Sequence, residues 1–322
     1  MDLKSLVGTV VDNKFEILSL IGAGGMGSVF KARQLDLERF VAIKFLSPSL
    51  VAHADSAGRF EREARAIAKL EHEHIAMFYS YGIFEGGLPY IVMEYLDGVS
   101  LNRLIQDGID WKRALKICRQ VCQSMSYAHA AGILHRDIKP ENIILSNLPE
   151  SDWVKVVDFG LAKLSDTDES VSQKLTKTGE LIGSIYYLSP EQCAGQKADE
   201  RSDIYSLSCV LYQMLCGRTP FECDNPIGMI HKHVNEQAIR PGEKLKSLEL
   251  PPYLDDVVMK GLSKKADDRY QSMQQFDSDL RLIEQSKQDE LSFKPKKSSL
   301  AKSYMPALLL SAFVMIIAAA SY

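Results

Sequence analysis

Hydrophobic residues in the first hundred positions come in short runs that glycines and charged residues interrupt. The runs are rich in Val, Ile and Phe and have the length of strands, whereas one longer segment repeats its apolar positions at helical spacing. The first part of the chain is therefore predicted to be strand-rich, with strands at 15–21, 29–32, 41–46 and 90–95 and a partly buried helix at 56–70.

Beyond residue 101 the hydrophobic pattern changes to the longer helical period. Residues 111–131, 204–215 and 253–262 have the length and spacing of helices, and an apolar run at 154–157 predicts one more strand. The second part is therefore predicted to be mostly helical, and the chain as a whole is predicted to be α+β.

Composition narrows the class of protein. The 322 residues are 46% hydrophobic and 25% charged, which is typical of a globular protein with a sizeable core. The formal net charge of -4 argues against nucleic acid as the main partner. The six cysteines lack paired C-x-x-C spacing and the first residues do not form a signal peptide, so we expect reduced cysteines in a cytosolic domain.

The last part of the chain has a different character. Residues 286–303 are polar and rich in lysine, and residues 305–322 carry no charged side chain. As a helix the second segment would be about 27 Å long, slightly short of a hydrocarbon core of about 30 Å. We expect a linker at 284–304 and a single transmembrane helix at 305–322 that contacts lipid, with the preceding domain on the cytoplasmic side of the membrane. A buried C-terminal helix is the alternative.

A glycine-rich turn follows the first predicted strand, with the sequence Gly22-Ala23-Gly24-Gly25-Met26-Gly27-Ser28-Val29. Its G-x-G-x-x-G spacing brings backbone amides close to an anionic group, although a plain glycine-rich hairpin would have the same pattern. A dinucleotide site needs an acidic residue at the end of the next strand, whereas Val41-Ala42-Ile43-Lys44 ends in a lysine. The two motifs together favour a loop that covers nucleotide phosphates, with Lys44 reaching the α- and β-phosphates.

A buried lysine needs a carboxylate nearby to remain charged. The predicted helix after Lys44 offers Glu61 and Glu63. Glu63 lies at the edge of the apolar face, next to Ala64, whereas Glu61 is expected to point away from it. We therefore expect Glu63 to pair with Lys44.

A dense group of charges lies between apolar runs at His135-Arg136-Asp137-Ile138-Lys139-Pro140-Glu141-Asn142. Such a stretch is either a solvated turn or an active site. Asp158-Phe159-Gly160 decides between them, because it puts a second carboxylate at the end of a predicted strand. Oxygen ligands from Asn142 and Asp158 suit Mg²⁺. Asp137 then remains to orient a hydroxyl and accept its proton, and Lys139 to neutralise charge on a transferred phosphoryl group.

With these motifs the chain resembles the eukaryotic-like (Hanks-type) serine/threonine protein kinases, most closely their membrane-anchored bacterial members. The resemblance covers about residues 10–283 and rests on GAGGMGSV, VAIK, RFEREA, HRDIKPEN, DFG and SPEQ in that order. It implies a two-lobed protein kinase fold at 15–283, with a small β-rich N-lobe at about 15–96 and a larger helical C-lobe at about 97–283. Residues 1–14 would be an N-terminal extension.

The resemblance also implies a serine/threonine protein kinase activity in signal transduction, with ATP, Mg²⁺ or alternatively Mn²⁺, and protein substrates. Residues 90–96 would be the hinge, with Met93 as gatekeeper and the backbone of Glu94 and Leu96 at the adenine. The implied catalytic residues are Lys44, Glu63, Asp137, Lys139 and Asn142, with Asn142 and Asp158 as metal ligands. The implied nucleotide-binding residues are Ile21, Gly22, Ala23, Gly24, Gly25, Met26, Gly27, Ser28, Val29, Ala42, Lys44, Met93, Glu94, Leu96, Ile144 and Asp158.

Further contacts are expected from the same resemblance. Glu191 should pair with Arg269 inside the C-lobe, and Asp203 should hold the backbone of the catalytic loop. The metal-like run Glu71-His72-Glu73-His74 is expected only to join the helix to the next strand.

Two threonines, Thr176 and Thr178, lie between Asp158 and Glu191. A phosphothreonine there would supply a partner for Arg136, so we expect autophosphorylation of one or both, with a dimer of kinase domains as one arrangement for it. Ser184 is expected to lie too close to the catalytic centre to be a good site.

Two other functions remain open. A pseudokinase scaffold would be expected to have lost Lys44, Asp137 or Asp158, and the chain keeps all three. A small-molecule phosphotransferase of similar fold would be expected to lack the peptide-binding segment Gly183–Glu191, which the chain also has.

Overall fold

The computed structural model describes residues 3–24, 27–47, 56–146, 152–159, 183–244 and 250–285. The chain divides into two units, Met1–Ser292 and Phe293–Tyr322, and all described residues belong to the first. The two threonines proposed for phosphorylation, the predicted linker beyond 285 and the predicted transmembrane segment lie outside the described residues. Within the described ranges, no helix has the length and apolar content that a membrane crossing requires.

A six-stranded antiparallel sheet forms the N-lobe, in the order β1-β2-β3-β4-β6-β5. The four strands predicted from the hydrophobic pattern are all present, and each differs at one or both ends because backbone pairing does not depend on side-chain polarity. A helix, α1 (Ser56–Ile67), follows β4 as predicted. The strands are β1 (Val10–Val11), β2 (Phe15–Gly24), β3 (Gly27–Gln34), β4 (Arg39–Leu46), β5 (Phe78–Phe84) and β6 (Leu88–Glu94).

The residues before the first predicted strand pack into this lobe. Leu6 and Val11 are buried with the aromatic and aliphatic side chains of the sheet, and Val11 pairs with Phe15 on β2. The Tyr90 hydroxyl donates a hydrogen bond to the Asp12 carboxylate. The segment expected to be an extension thus contributes apolar side chains to the N-lobe core, in addition to the sheet itself.

The C-lobe is helical and contains the three helices predicted in it. Two long helices, α3 and α5, form its centre, and α5 is buried around nearly its whole circumference. Asp110 caps the start of α3 and Asp199 the start of α5, each by accepting backbone N–H bonds. The helices are α2 (Leu101–Asp107), α3 (Trp111–Ala130), α4 (Pro190–Cys193), α5 (Glu200–Cys216), α6 (Pro226–Asn235), α7 (Pro241–Lys244), α8 (Leu254–Gly261) and α9 (Met273–Glu284).

A small antiparallel sheet positions the catalytic segments. Its order is β7-β8-β9, and its strands are β7 (Gly98–Ser100), β8 (Ile143–Ser146) and β9 (Val154–Val156). The loop that carries Asp137 enters β8 through a 3-10 turn at Pro140–Asn142, and Asp158 follows β9. The sheet therefore brings two motifs that are distant in the sequence to one side of the C-lobe.

Candidate active site

Asp203, on the first turn of α5, holds the backbone of the loop at residues 135–142. The two carboxylate oxygens of Asp203 accept hydrogen bonds from the backbone N–H groups of His135 and Arg136, at 2.9 and 2.8 Å. Burial alone would raise the pKa of Asp203, but a hydrogen bond and charge from His129 lower it below its ordinary value. The expected contact between Asp203 and the catalytic-loop backbone is confirmed.

Two non-glycine residues of the site have left-handed backbone conformations. Arg136 has φ of 66° and Asp158 has φ of 64°. This conformation costs energy in residues with a Cβ atom and occurs where the surrounding structure fixes it, often at functional sites. Asp203 supplies such fixation for Arg136, and His135 holds the end of β9 through a hydrogen bond between its Nε2 atom and Val157 O at 2.9 Å.

Asp137, Lys139, Asn142 and Ser184 form one hydrogen-bonded group. Lys139 Nζ lies 2.8 Å from Asp137 Oδ2 and 2.8 Å from Ser184 Oγ. Asn142 Nδ2 donates to the backbone oxygen of Asp137 at 2.8 Å, which directs the amide oxygen of Asn142 away from the loop. The structure thus brings three predicted catalytic residues together and adds the hydroxyl of Ser184, which sequence reasoning placed nearby without giving it a role.

Lys44 is buried on β4 and forms an ion pair with Asp158, with 2.8 Å between Nζ and Oδ2. Burial would raise the pKa of Asp158, but the charge and hydrogen bond of Lys44 outweigh it, so the pKa is lowered and the carboxylate is ionised at neutral pH. Lys44 is thus paired with Asp158 in this structure, and Glu63 is half-buried on α1. A carboxylate does accompany the buried lysine, as predicted, but in this structure it comes from the end of β9.

The predicted metal ligands have the chemistry that a hard divalent cation needs. Asp158 offers an ionised carboxylate, and Asn142 offers an amide oxygen because its amide nitrogen is engaged by Asp137. Oxygen donors of this kind fit Mg²⁺. The run at 71–74 lies between α1 and β5, as expected, and the described residues contain no cluster of three or more His, Cys, Asp or Glu side chains suited to a metal ion.

The predicted nucleotide-binding residues lie on both sheets. Ala42 is opposite Met93 on neighbouring strands of the N-lobe, and Val29 is opposite Lys44. Ile144 lies on β8 in the C-lobe sheet. Ile21, Gly22, Ala23 and Gly24 are exposed at the end of β2, and Gly27 and Ser28 begin β3. Glu94 ends β6, and Leu96 follows it. Gly25 and Met26 are outside the described residues.

An apolar cavity connects the hinge region to Asp158. Its lining includes Met93, the predicted gatekeeper, and Asp158, together with Ile67, Ala76, Phe78, Ile91, Val156, Val157 and Phe159. Sequence reasoning did not predict this cavity, because its walls come from α1, three strands and the segment after β9.

Glu191 and Arg269 form a buried bidentate ion pair, as expected. Arg269 Nη1 lies 2.8 Å from Glu191 Oε1, and Nη2 lies 2.8 Å from Oε2. Burial alone would raise the pKa of Glu191, but hydrogen bonds from Arg269 and Ser202 lower it to about 2. The pair joins the end of the predicted peptide-binding segment to the loop before α9.

Comparison with known proteins agrees with this geometry. The family model described as protein kinase domain matches residues 15–289. The serine/threonine-protein kinase PknB of Mycolicibacterium smegmatis is 43% identical over 276 residues, which are 84% of this chain and 43% of that protein. The serine/threonine-protein kinase pkn3 of Myxococcus xanthus is 35% identical over 312 residues, 95% of this chain and 56% of that protein.

The fold also has solved counterparts. The crystal structure of the PknI kinase domain of Mycobacterium tuberculosis matches with a TM-score of 0.67 and 25% identity, covering 86% of this chain and 98% of that one. The chain spans about half the length of the curated relatives named above. With a family model that matches most of its length and a site of this geometry, the chain belongs to the protein kinase domain family.

Proposed function

We propose that the chain is a serine/threonine protein kinase, which transfers the γ-phosphoryl group of ATP to hydroxyl groups of proteins. The observation that carries the proposal is the contact of Lys139 with both Asp137 and Ser184, beside Asn142 and the ion pair of Lys44 with Asp158. Phosphoryl transfer needs positioning and charge neutralisation above all, and this group of residues supplies both.

Each side chain of the site has its own role in the reaction. A substrate hydroxyl attacks the γ-phosphorus, the bond from that phosphorus to the β–γ bridging oxygen breaks, and ADP leaves. Asp137 orients the hydroxyl and accepts its proton. Lys139 neutralises charge on the transferred group from its position beside Asp137, and Lys44 would bind the α- and β-phosphates once a nucleotide competes with Asp158 for it.

Asn142 and Asp158 would hold Mg²⁺. When bound, the cation neutralises phosphate charge and orients the phosphates. Mn²⁺ is an alternative because it prefers the same oxygen ligands. The ionised state of Asp158 supports this assignment, since a protonated carboxyl group is a poor ligand.

The type of substrate is supported by the relatives, since PknB and pkn3 are named serine/threonine-protein kinases. The test is incubation of the purified full chain with γ-labelled ATP, Mg²⁺ and a cell extract, followed by identification of labelled residues by mass spectrometry. We expect label on serine and threonine in proteins. Label found only on small molecules would favour the alternative phosphotransferase, and nucleotide binding without transfer would favour a pseudokinase scaffold.

We also propose autophosphorylation of Thr176, Thr178 or both, which lie outside the described residues. The support is their sequence position between Asp158 and Glu191 and the presence of Arg136 in the catalytic loop. The same mass spectra test this proposal, and a fully active variant with alanine at both positions would show that neither threonine matters for activity.

The charge-free segment 305–322 and the lysines before it support a further proposal, a single-pass anchor in the cytoplasmic membrane with the kinase domain in the cytoplasm. Membrane fractionation tests it. We expect the full chain in the membrane fraction, released by detergent and not by salt. Recovery of the full chain in the soluble fraction would contradict it.

A further inference from the structure

The side chain of Glu94 connects the predicted hinge to the strand that leads to Asp158. Glu94 Oε2 accepts a hydrogen bond from Lys155 Nζ at 2.7 Å and another from Met77 N at 3.0 Å. The backbone N–H of Glu94 also donates to Met77 O at 2.8 Å. Lys155 is the middle residue of β9. One carboxylate therefore touches the end of β6, the start of the β5 region and β9.

The backbone around this carboxylate is paired as well. Ala76 N donates to Val156 O and Val156 N donates to His74 O, both at 2.9 Å. Lys155 Nζ also lies 3.3 Å from Ile75 O. Residues 74–77 thus lie between β9 and the end of β6, and the ion pair of Lys155 with Glu94 crosses from one strand to the other over them.

The ion pair of Lys155 with Glu94 is partly shielded from solvent. The Lys155 and Glu94 side chains are 19% and 25% exposed, whereas the ion pair of Arg33 with Glu16 on the N-lobe sheet has side chains 52% and 33% exposed. Attraction between charges increases as water is excluded, and removal of one partner leaves the other poorly solvated. A change in this pair should therefore alter the geometry of the strands that it joins.

We propose that Glu94 and Lys155 are positioning residues for nucleotide binding, whose ion pair sets the separation between the hinge backbone and Asp158. The inference rests on the proposed function, because that function assigns the adenine to the hinge and the phosphate-bound metal to Asp158. A nucleotide with Mg²⁺ is held at both ends of this span, whereas adenosine has no phosphate or metal with which to reach Asp158.

A fixed separation between the hinge backbone and Asp158 favours only a ligand that is held at both places. Without the ion pair, the strands sample other separations, and a ligand that spans them binds only the fraction of molecules with the correct one. Loss of the pair should therefore weaken the binding of a magnesium nucleotide and leave the binding of adenosine nearly unchanged.

The test is calorimetric titration of the full chain with two probes, a non-hydrolysable ATP analogue with Mg²⁺ and adenosine alone. Glu94→Gln removes the charge and keeps an oxygen for the Met77 hydrogen bond, and Lys155→Met removes the cation. Each variant should bind the magnesium analogue about tenfold more weakly, with adenosine within about twofold of wild type. The double variant should be no weaker than either single one, because both remove the same interaction.

Two controls separate a charge effect from general damage. Lys155→Arg keeps the cation and should bind the magnesium analogue within about threefold of wild type. Arg33→Met removes the exposed ion pair on the N-lobe sheet and should leave the binding of both probes unchanged.

Equal loss of affinity for both probes would overturn the proposal, because the pair would then shape only the hinge. Unchanged affinity in both single variants, or multiplied losses in the double variant, would also overturn it. A wild-type chain that binds both probes but transfers no phosphoryl group, with variants that show the expected pattern, would refute the kinase activity and support the positioning role.

Discussion

Lys139 contacts two other polar side chains of the site. Its ammonium group lies between the Asp137 carboxylate and the Ser184 hydroxyl, at 2.8 Å from each. A lysine side chain has a flexible four-carbon stem, so two fixed partners greatly restrict the position of its charge. Ser184 therefore positions the cation, although it is part of the segment that would bind the substrate peptide.

The first prediction follows from this contact. Ser184→Ala removes one of the two partners of Lys139 and should lower kcat about 10- to 100-fold, because small displacements of a catalytic group are costly. The KM for ATP should change little, since Ser184 is not among the predicted nucleotide-binding residues. Ser184→Thr keeps the hydroxyl and should retain most of the activity. Steady-state kinetics on a peptide substrate measures both, and wild-type kcat in the alanine variant would show that the contact is unimportant.

For single residues, the sequence predicted which side chains belong to the site better than it predicted their contact partners. Asp137 and Lys139 belong to one short motif, so their proximity follows from chain connectivity. The partner of Lys44 does not follow in this way, because the choice between Glu63 and Asp158 depends on how α1 packs against the sheet. The structure pairs Lys44 with Asp158.

Among the elements, the glycine-rich turn between β2 and β3 combines two different requirements. Gly27 has φ of 137°, and a Cβ atom there would lie 1.9 Å from Phe45 O on β4. Gly24 has open space around its Cβ position, at the exposed end of β2. The fold thus needs a glycine at Gly27, whereas Gly24 is available for close approach of phosphates to the backbone.

The second prediction separates these roles. Gly27→Ala should lower the free energy of unfolding by about 1–3 kcal/mol through the clash with β4. Gly24→Ala should change it by less than about 0.5 kcal/mol and instead weaken the binding of a magnesium nucleotide. Thermal unfolding and calorimetric titration of both variants provide the comparison. Equal stability of the two variants would be inconsistent with the close contact at Phe45.

Sequence patterns predicted most of the longest elements and the short strand β9, and missed β5, α2, α6 and α9 together with the other short strands. The segments 15–21 and 111–131 were correct in type, because each repeats its apolar period several times. The strands β1, β7 and β8 are too short to show a period, and their pairing depends on distant parts of the chain.

In the whole molecule, Glu191 and Arg269 connect segments that are far apart in the sequence. Arg269 has a side chain with no exposure and Glu191 is 13% exposed. Arg269 also donates to the backbone oxygens of Ser263 and Arg201. One guanidinium group therefore fixes the loop before α9, the start of α5 and the short helix α4.

The third prediction concerns stability and its dependence on pH. Arg269→Met leaves the Glu191 carboxylate without its cation and should lower the free energy of unfolding by about 3–5 kcal/mol at pH 7. The pKa of Glu191 is lowered from 4.5 to about 2 in the folded protein, so the contribution of the pair is complete above about pH 4.5 and is lost as the pH falls towards 2. The difference between wild type and variant should narrow over that range.

Urea unfolding at several pH values measures this difference. Arg65→Met is a suitable control, because Arg65 forms an exposed ion pair with Glu61 on one helix, and water screens such a pair so that its loss should change the free energy of unfolding little. A difference for Arg269→Met that stays constant from pH 7 to pH 3 would mean that the ion pair is not its source.

The two-lobed arrangement was predictable from the order of motifs, and so were the pairing of Glu191 with Arg269 and the contacts of Asp203. The link between Glu94 and Lys155 was not predictable, because Glu94 was expected to act through its backbone and Lys155 is a lone charge in an apolar run. Only the folded chain brings residues 74–77 between their two strands.

Phosphoryl transfer by this chain should depend on Asp137 and Lys44, and substitution of these two residues in the full chain tests that dependence. Asp137→Asn removes the proton acceptor while keeping the shape of the side chain, and Lys44→Met removes the nucleotide-positioning cation. Asp110→Asn changes an aspartate that only caps α3, and asparagine caps helices equally well, so it is the matched control. At saturating ATP, with circular dichroism unchanged, we predict that turnover falls at least about a thousandfold in both site variants and not in the control. Wild-type turnover in either site variant would rule out the role proposed for that residue.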